Sequence, residues 1–124
     1  MPSIDVIFYQ EDDRSVPVND WLDDLPALAR DRCLARLDLL NQLGHELRRL
    51  VAEYIEGTDL YELRIKFHRT NYRILYFFHG RTAAVVSHGC DKERRLAPGD
   101  IRLAIDRMEK FKADPERHTF GGEE

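Results

Sequence analysis

The sequence predicts an α+β fold, with an N-terminal strand and helices packed on one face of an antiparallel sheet and a C-terminal helix closing the chain. Three observations carry this expectation. Three β-rich runs, Leu60 to Phe67, Tyr72 to Phe78 and Thr82 to His88, follow one another with only short turn signals between them. A helix-spaced apolar series precedes them, and Pro98 opens another behind them. At 124 residues, 43% hydrophobic and 34% charged, the chain has material for one packed core and little room for two.

In chain order, Ile4, Val6 and Phe8 alternate with Asp5 and Ile7 and predict a first strand, closed by the acidic turn Glu11 to Arg14. Pro17 lies near a helix start, and Trp21, Leu22 and Leu25 give that helix a short apolar face before Pro26 interrupts it. From Ala27, the positions Leu28, Cys33, Leu34, Leu37, Leu40 and Leu43 recur at three- and four-residue spacing until Gly44 offers a stop, which predicts the long helix. His45 to Thr58 reads as a connector. In the first central run Tyr61, Leu63, Ile65 and Phe67 share one face and Leu60, Glu62, Arg64 and Lys66 the other, because side chains alternate along a strand. The apolar set is expected to cover the helices and the polar set to look outward, on a face open to a partner. The second run is apolar on both sides, as a central strand is. Ile101, Leu103, Ala104, Ile105, Met108 and Phe111 supply the last helix. Residues 1–112 are thus expected to form one domain, with 113–124 a frayed tail.

Charge is unevenly distributed. Residues 1–31 hold eight acids against Arg14 and Arg30, a net −6, whereas residues 62–95 hold eight bases against three acids, a net +5, although the whole chain is −4. An anionic partner is expected on the second segment. No apolar run approaches the roughly 20 residues of a membrane span, and the N-terminus lacks a signal-peptide pattern, so a cytoplasmic protein with no membrane partner is expected. Cys33 and Cys90 are too few for a disulfide framework and read as reduced and packed. The scattered histidines and serines form no metal-site, nucleophile-elbow or phosphate-loop pattern.

Several segments resemble the phage Gp49-like and HigB-type toxins of the RelE/HigB superfamily. Val16 to Pro26 is similar to their first helix, Leu60-Tyr61-Glu62-Leu63-Arg64 and Tyr72-Arg73-Ile74-Leu75-Tyr76 to their central strands, and His88-Gly89, Lys92 and Pro98 to their closing strand, basic loop and last helix. The likeness runs in order over residues 4–112. It departs where Cys90 replaces a bulky apolar residue after His-Gly and where Glu93 replaces the second of two lysines. The resemblance implies the toxin of a type II toxin–antitoxin pair. In the RelE and HigB branches such a toxin cleaves mRNA in the ribosomal A site, and in the ParE branch it acts on DNA gyrase. The implied partners are a helix-turn-helix antitoxin, the ribosome and its mRNA, and operator DNA only through the antitoxin.

Cleavage of that kind uses the RNA's own 2′-hydroxyl as nucleophile, and so needs a proton acceptor, a proton donor and positive charge on the phosphate, with no cofactor. Arg64 and Arg73 on adjacent strands are the first candidates for gripping phosphate, since a guanidinium presents a bidentate fork. Lys92 is the third catalytic candidate, as charge or as a proton carrier. Lys66, His68, Arg69, His88, Arg94 and Arg95 are candidate RNA contacts, the histidines because their charge changes nearest neutral pH. Each has a plainer alternative: an ion pair of Arg64 or Arg73 with Glu62, a solvated turn for Lys66 and His68, a strand-end hydrogen bond for His88. Tyr61, Tyr72, Tyr76 and Trp21 read as core rather than as base-stacking platforms. A gyrase-type inhibitor without nuclease activity, and a phage relic that only binds its antitoxin, remain open as alternatives.

Overall fold

The computed structural model describes residues 4–49, 51–91 and 96–121. The element order is β1 (Asp5–Phe8), α1 (Pro17–Asp23), α2 (Ala27–Leu43), a 3-10 turn (Gly44–Arg49), β2 (Ala52–Tyr54), β3 (Leu60–Phe67), β4 (Thr70–His79), β5 (Ala83–Asp91) and α3 (Pro98–Ala113). The strands form one sheet in the order β1-β5-β4-β3-β2. The meander β3-β4-β5 is antiparallel, as the short turns require. β1 joins its edge parallel to β5, with Asp5 opposite Ala83 and Phe8 opposite Val86, so the sheet is mixed. Its neighbour lies 78 residues further along, Ala83 opposite Asp5, a pairing that local pattern does not announce. β2, inside the expected connector, pairs with β3.

Alternation along the strands builds two cores. On one face Leu63, Ile65, Tyr72, Ile74, Tyr76, Ala84 and Val86 meet Val18, Leu22, Ala29, Cys33, Leu37 and Leu40 from α1 and α2. Gly44 ends α2 in the left-handed region (φ 57°), and a Cβ there would press on Ile4. The opposite face is not open along its length. Leu60, Leu75, Phe77, Val85 and Cys90 are buried with Ala104, Met108 and Phe111 of α3 and with Tyr9. β4 is consequently apolar on both sides.

The segment after α3 differs from the frayed tail expected of it. Residue Thr119 bridges Tyr9 in antiparallel fashion; the Gln10 amide donates to the His118 carbonyl and the Phe120 amide to the Phe8 carbonyl. The His118 ring stacks on Tyr9 at 5.1 Å between centroids, and its Nδ1 lies 2.8 Å from the Gln10 carbonyl. These contacts cap the outer edge of β1 at its C-terminal end, where unpaired backbone groups would otherwise face solvent.

Candidate functional site

The β3-β4 hairpin decides which charged residues meet. Its two-residue turn, His68-Arg69, sets Phe67 opposite Thr70, and the register then places Lys66 opposite Asn71, Arg64 opposite Arg73 and Glu62 opposite Leu75. Residues opposite one another share a face, so both arginines stand on the α3 side of the sheet. That much agrees with the sequence expectation. Their surroundings do not.

Arg73 is buried, only 8% exposed, and its Nη1 donates to Glu62 Oε1 at 3.1 Å. It is therefore part of a buried ion pair rather than an open phosphate clamp. Arg64 is about half exposed; it pairs with Glu53 of β2 and lies 3.6 Å from the other oxygen of Glu62. Glu62 thus holds both guanidiniums, and its own burial is tolerated because they compensate its charge. Lys66, His68 and Arg69 are exposed around the turn, with His68 in the left-handed region at φ 57° and its ring 4.2 Å from Phe67. Lys92, Arg94 and Arg95 lie outside the described residues.

His88 sits on the same face but has a different occupation. A bulge in the β4-β5 ladder, where Leu75 faces His88 but Tyr76 faces Val86, leaves Ser87 as the extra residue. Ser87 Oγ and His88 Nδ1 are 2.8 Å apart, and His88 Nε2 lies 3.3 Å from Asp100 in the first turn of α3. Both ring nitrogens are engaged and the side chain is buried. His88 clasps β5 to α3, with its ring turned into the protein. Burial, then the Arg107 cation, pushes its pKa below the ordinary histidine value, against the pull of Asp100.

Arg107 is the residue that sequence reasoning missed. Its guanidinium donates twice to Glu11 Oε2, at 3.0 and 2.7 Å, reaches the Ser87 carbonyl at 3.4 Å, and lies 5.6 Å from the Tyr9 ring centroid. One side chain so joins α3, the β1-α1 loop and the β5 bulge. Asp100, Ala104, Arg107, Met108 and Phe111 recur at helical spacing, a signal that this face of α3 packs inward.

Gly89 explains the motif after His88. It lies on the helix-covered face opposite Ile74, and a Cβ there would sit 2.3 Å from the Trp21 ring. Trp21 of α1 therefore packs directly on the backbone of β5 and meets Tyr72 edge-on at 6.0 Å. Tyr76 is 1% exposed and Tyr72 6%, which makes them core residues as expected. Cys33 and Cys90 are free and buried, and burial pushes the Cys33 thiol up to about 11. Among the described residues no helix is long and apolar enough to cross a membrane.

The family described as phage-derived protein Gp49-like (DUF891) matches residues 20–109, from α1 through most of α3. The chain belongs to this family, which is of the RelE/HigB toxin type. A family of this type supplies the toxin of a toxin–antitoxin pair and implies an antitoxin as partner. No curated protein matches the chain.

Proposed function

We propose that this toxin is a ribosome-dependent mRNA endoribonuclease that engages RNA at the β3-β4 end of the sheet, on the side beyond α3. The observation that carries the reading is the gathering of Arg64, Lys66, His68 and Arg69, all exposed, along one strand end and its turn. In the reaction the 2′-oxygen attacks the adjacent phosphorus and the bond to the 5′-oxygen breaks, leaving a 2′,3′-cyclic phosphate and a 5′-hydroxyl. One group accepts the 2′-hydroxyl proton and another donates to the leaving oxygen. Arg64 and Lys66 supply charge to the phosphate, and His68 is the exposed acid–base group beside them. Arg73 acts through Glu62, whose two oxygens hold the Arg64 and Arg73 guanidiniums. The fixed geometry lowers the ordering cost of binding. Lys92, Arg94 and Arg95 add to this charge in the proposal.

The pairing of Arg64 with Glu53 and Glu62 favours a second reading as well, a protein-binding inhibitor of the gyrase type, because both carboxylates offset the field that draws phosphate. Expression of the chain alone in a bacterium, with mapping of mRNA 5′ ends, separates the two. The nuclease predicts growth arrest with new ends in translated messages only. Arrest without new ends would sink it in favour of the inhibitor.

A further inference from the structure

The outward face of α2 carries more apolar surface than solvent exposure alone explains. Ala27 and Leu28, then Leu34 and Ala35, alternate along it with Asp31 and Asp38, and all six are exposed. Leu28 is 65% exposed and Leu34 43%, among the few large apolar residues so placed in the described chain. A helix of seventeen residues that buries one side on the sheet has no need of leucines on the other.

The charged residues between these apolar positions are the acids Asp31 and Asp38, and of the three arginines of α2, Arg30, Arg32 and Arg36, the first two are engaged within the molecule. Arg30 turns inward to cap α1, donating to the carbonyls of Leu22, Asp23 and Leu25 at 2.9, 3.3 and 3.1 Å. Arg32 lies over the Phe67 ring, 5.2 Å from its centroid. Asp20 in the first turn of α1 and Asp23 and Asp24 at its end, which Arg30 ties to α2, are exposed with no ion pair among the described residues, and Asp31 likewise has none. A second copy of α2 would bring like charges together. The complementary occupant is a helix with an apolar stripe flanked by Lys and Arg.

We propose that the antitoxin docks on this α2 face through such a helix, with Leu28 and Leu34 as apolar anchors and Asp31, Asp38 and the α1 acids as the rim. The proposal rests on the toxin–antitoxin reading, but not on the nuclease activity. It puts the antitoxin on the side of the sheet opposite Arg64 and Lys66, so the basic end stays uncovered in the complex.

The test measures binding of the protein encoded beside this gene to the full chain, by calorimetry at two salt concentrations. L28S/L34S is expected to weaken binding at least a hundredfold, as the loss of two central anchors does. D31K/D38K is expected to weaken it about tenfold and to flatten its salt dependence. K66A/R69A, on the other side, is expected to bind as wild type does. All six residues are exposed, so thermal melts should match wild type; if L28S/L34S fails to fold, the charge reversal carries the test. Unchanged affinity in the folded α2 variants, loss of binding in K66A/R69A, or no binding by wild type would each overturn the proposal. Cleavage of translated mRNA by the antitoxin-free toxin, assayed in parallel with ribosomes present, should be unaffected by L28S/L34S. A chain that binds as predicted yet cuts nothing refutes the nuclease reading alone.

Discussion

The two faces of the sheet bury their strands by different means. Under α1 and α2 the buried core is apolar, and an indole rests on a glycine there, Trp21 on Gly89. Under α3 the same strands start from an apolar core of Leu60, Phe77 and Phe111, and end in charge, with Glu62, Arg73 and His88 buried among partners. The first face tolerates loss of volume in proportion to what is removed. The second depends on complete pairing, since one missing partner strands a charge. A site that holds exposed cations in fixed positions is more readily built on the second.

Breaking the charged face should have the largest effect. R73A leaves Glu62 without its closest cation and is expected to cost about 3–5 kcal/mol of stability in chemical denaturation. An apolar double replacement, E62L/R73M, should recover most of that loss. The comparison fails if the double variant is no more stable than R73A. On the apolar face, G89A drives a methyl into Trp21 and is expected to cost about 1–3 kcal/mol, with G89A/W21L less destabilised than the sum of the two single changes.

The His88 clasp gives the α3 side a pH dependence that the apolar face lacks. Its pKa is lowered in the folded protein, so between that value and the ordinary histidine value the unfolded chain binds the extra proton. The clasp's contribution is intact above the ordinary value and is lost as pH falls through the folded one. Melting temperature should therefore decline on acidification from pH 7.5 toward pH 5.5, and H88Q should reduce that slope. A slope unchanged in H88Q would remove His88 as its source. The smallest effect is expected of R64A, whose half-exposed side chain should change stability by no more than about 1 kcal/mol.

The meander was legible because its signals are local: turns of two to four residues and period-two alternation set the strands and the shared face of Arg64 and Arg73. The face that carries Leu60, Leu75, Phe77 and the arginines was expected to lie open to a partner, and α3 covers its apolar part instead. The burial of Arg73 was weighed in the sequence only as an ion pair, because the depth of a side chain depends on what α3 covers. β2 was missed because three residues, Ala52-Glu53-Tyr54, are too few to establish a strand period. The docking of the tail on β1 and the Glu11–Arg107 bridge join residues about a hundred positions apart, and no local pattern encodes them. Ser87 and His88 owe their placement to a bulge that the run of β-formers does not mark.

In the proposed function the exposed cations beside the buried charged cluster act on RNA. Its most direct test is the R64A/K66A variant, folded as judged by an unchanged melt, expressed without antitoxin and followed by 5′-end mapping of translated mRNA. Wild type is expected to generate new ends within reading frames and the variant to lose at least a hundredfold of that cleavage, with growth restored. A folded variant that still arrests growth and cuts as wild type does would contradict it.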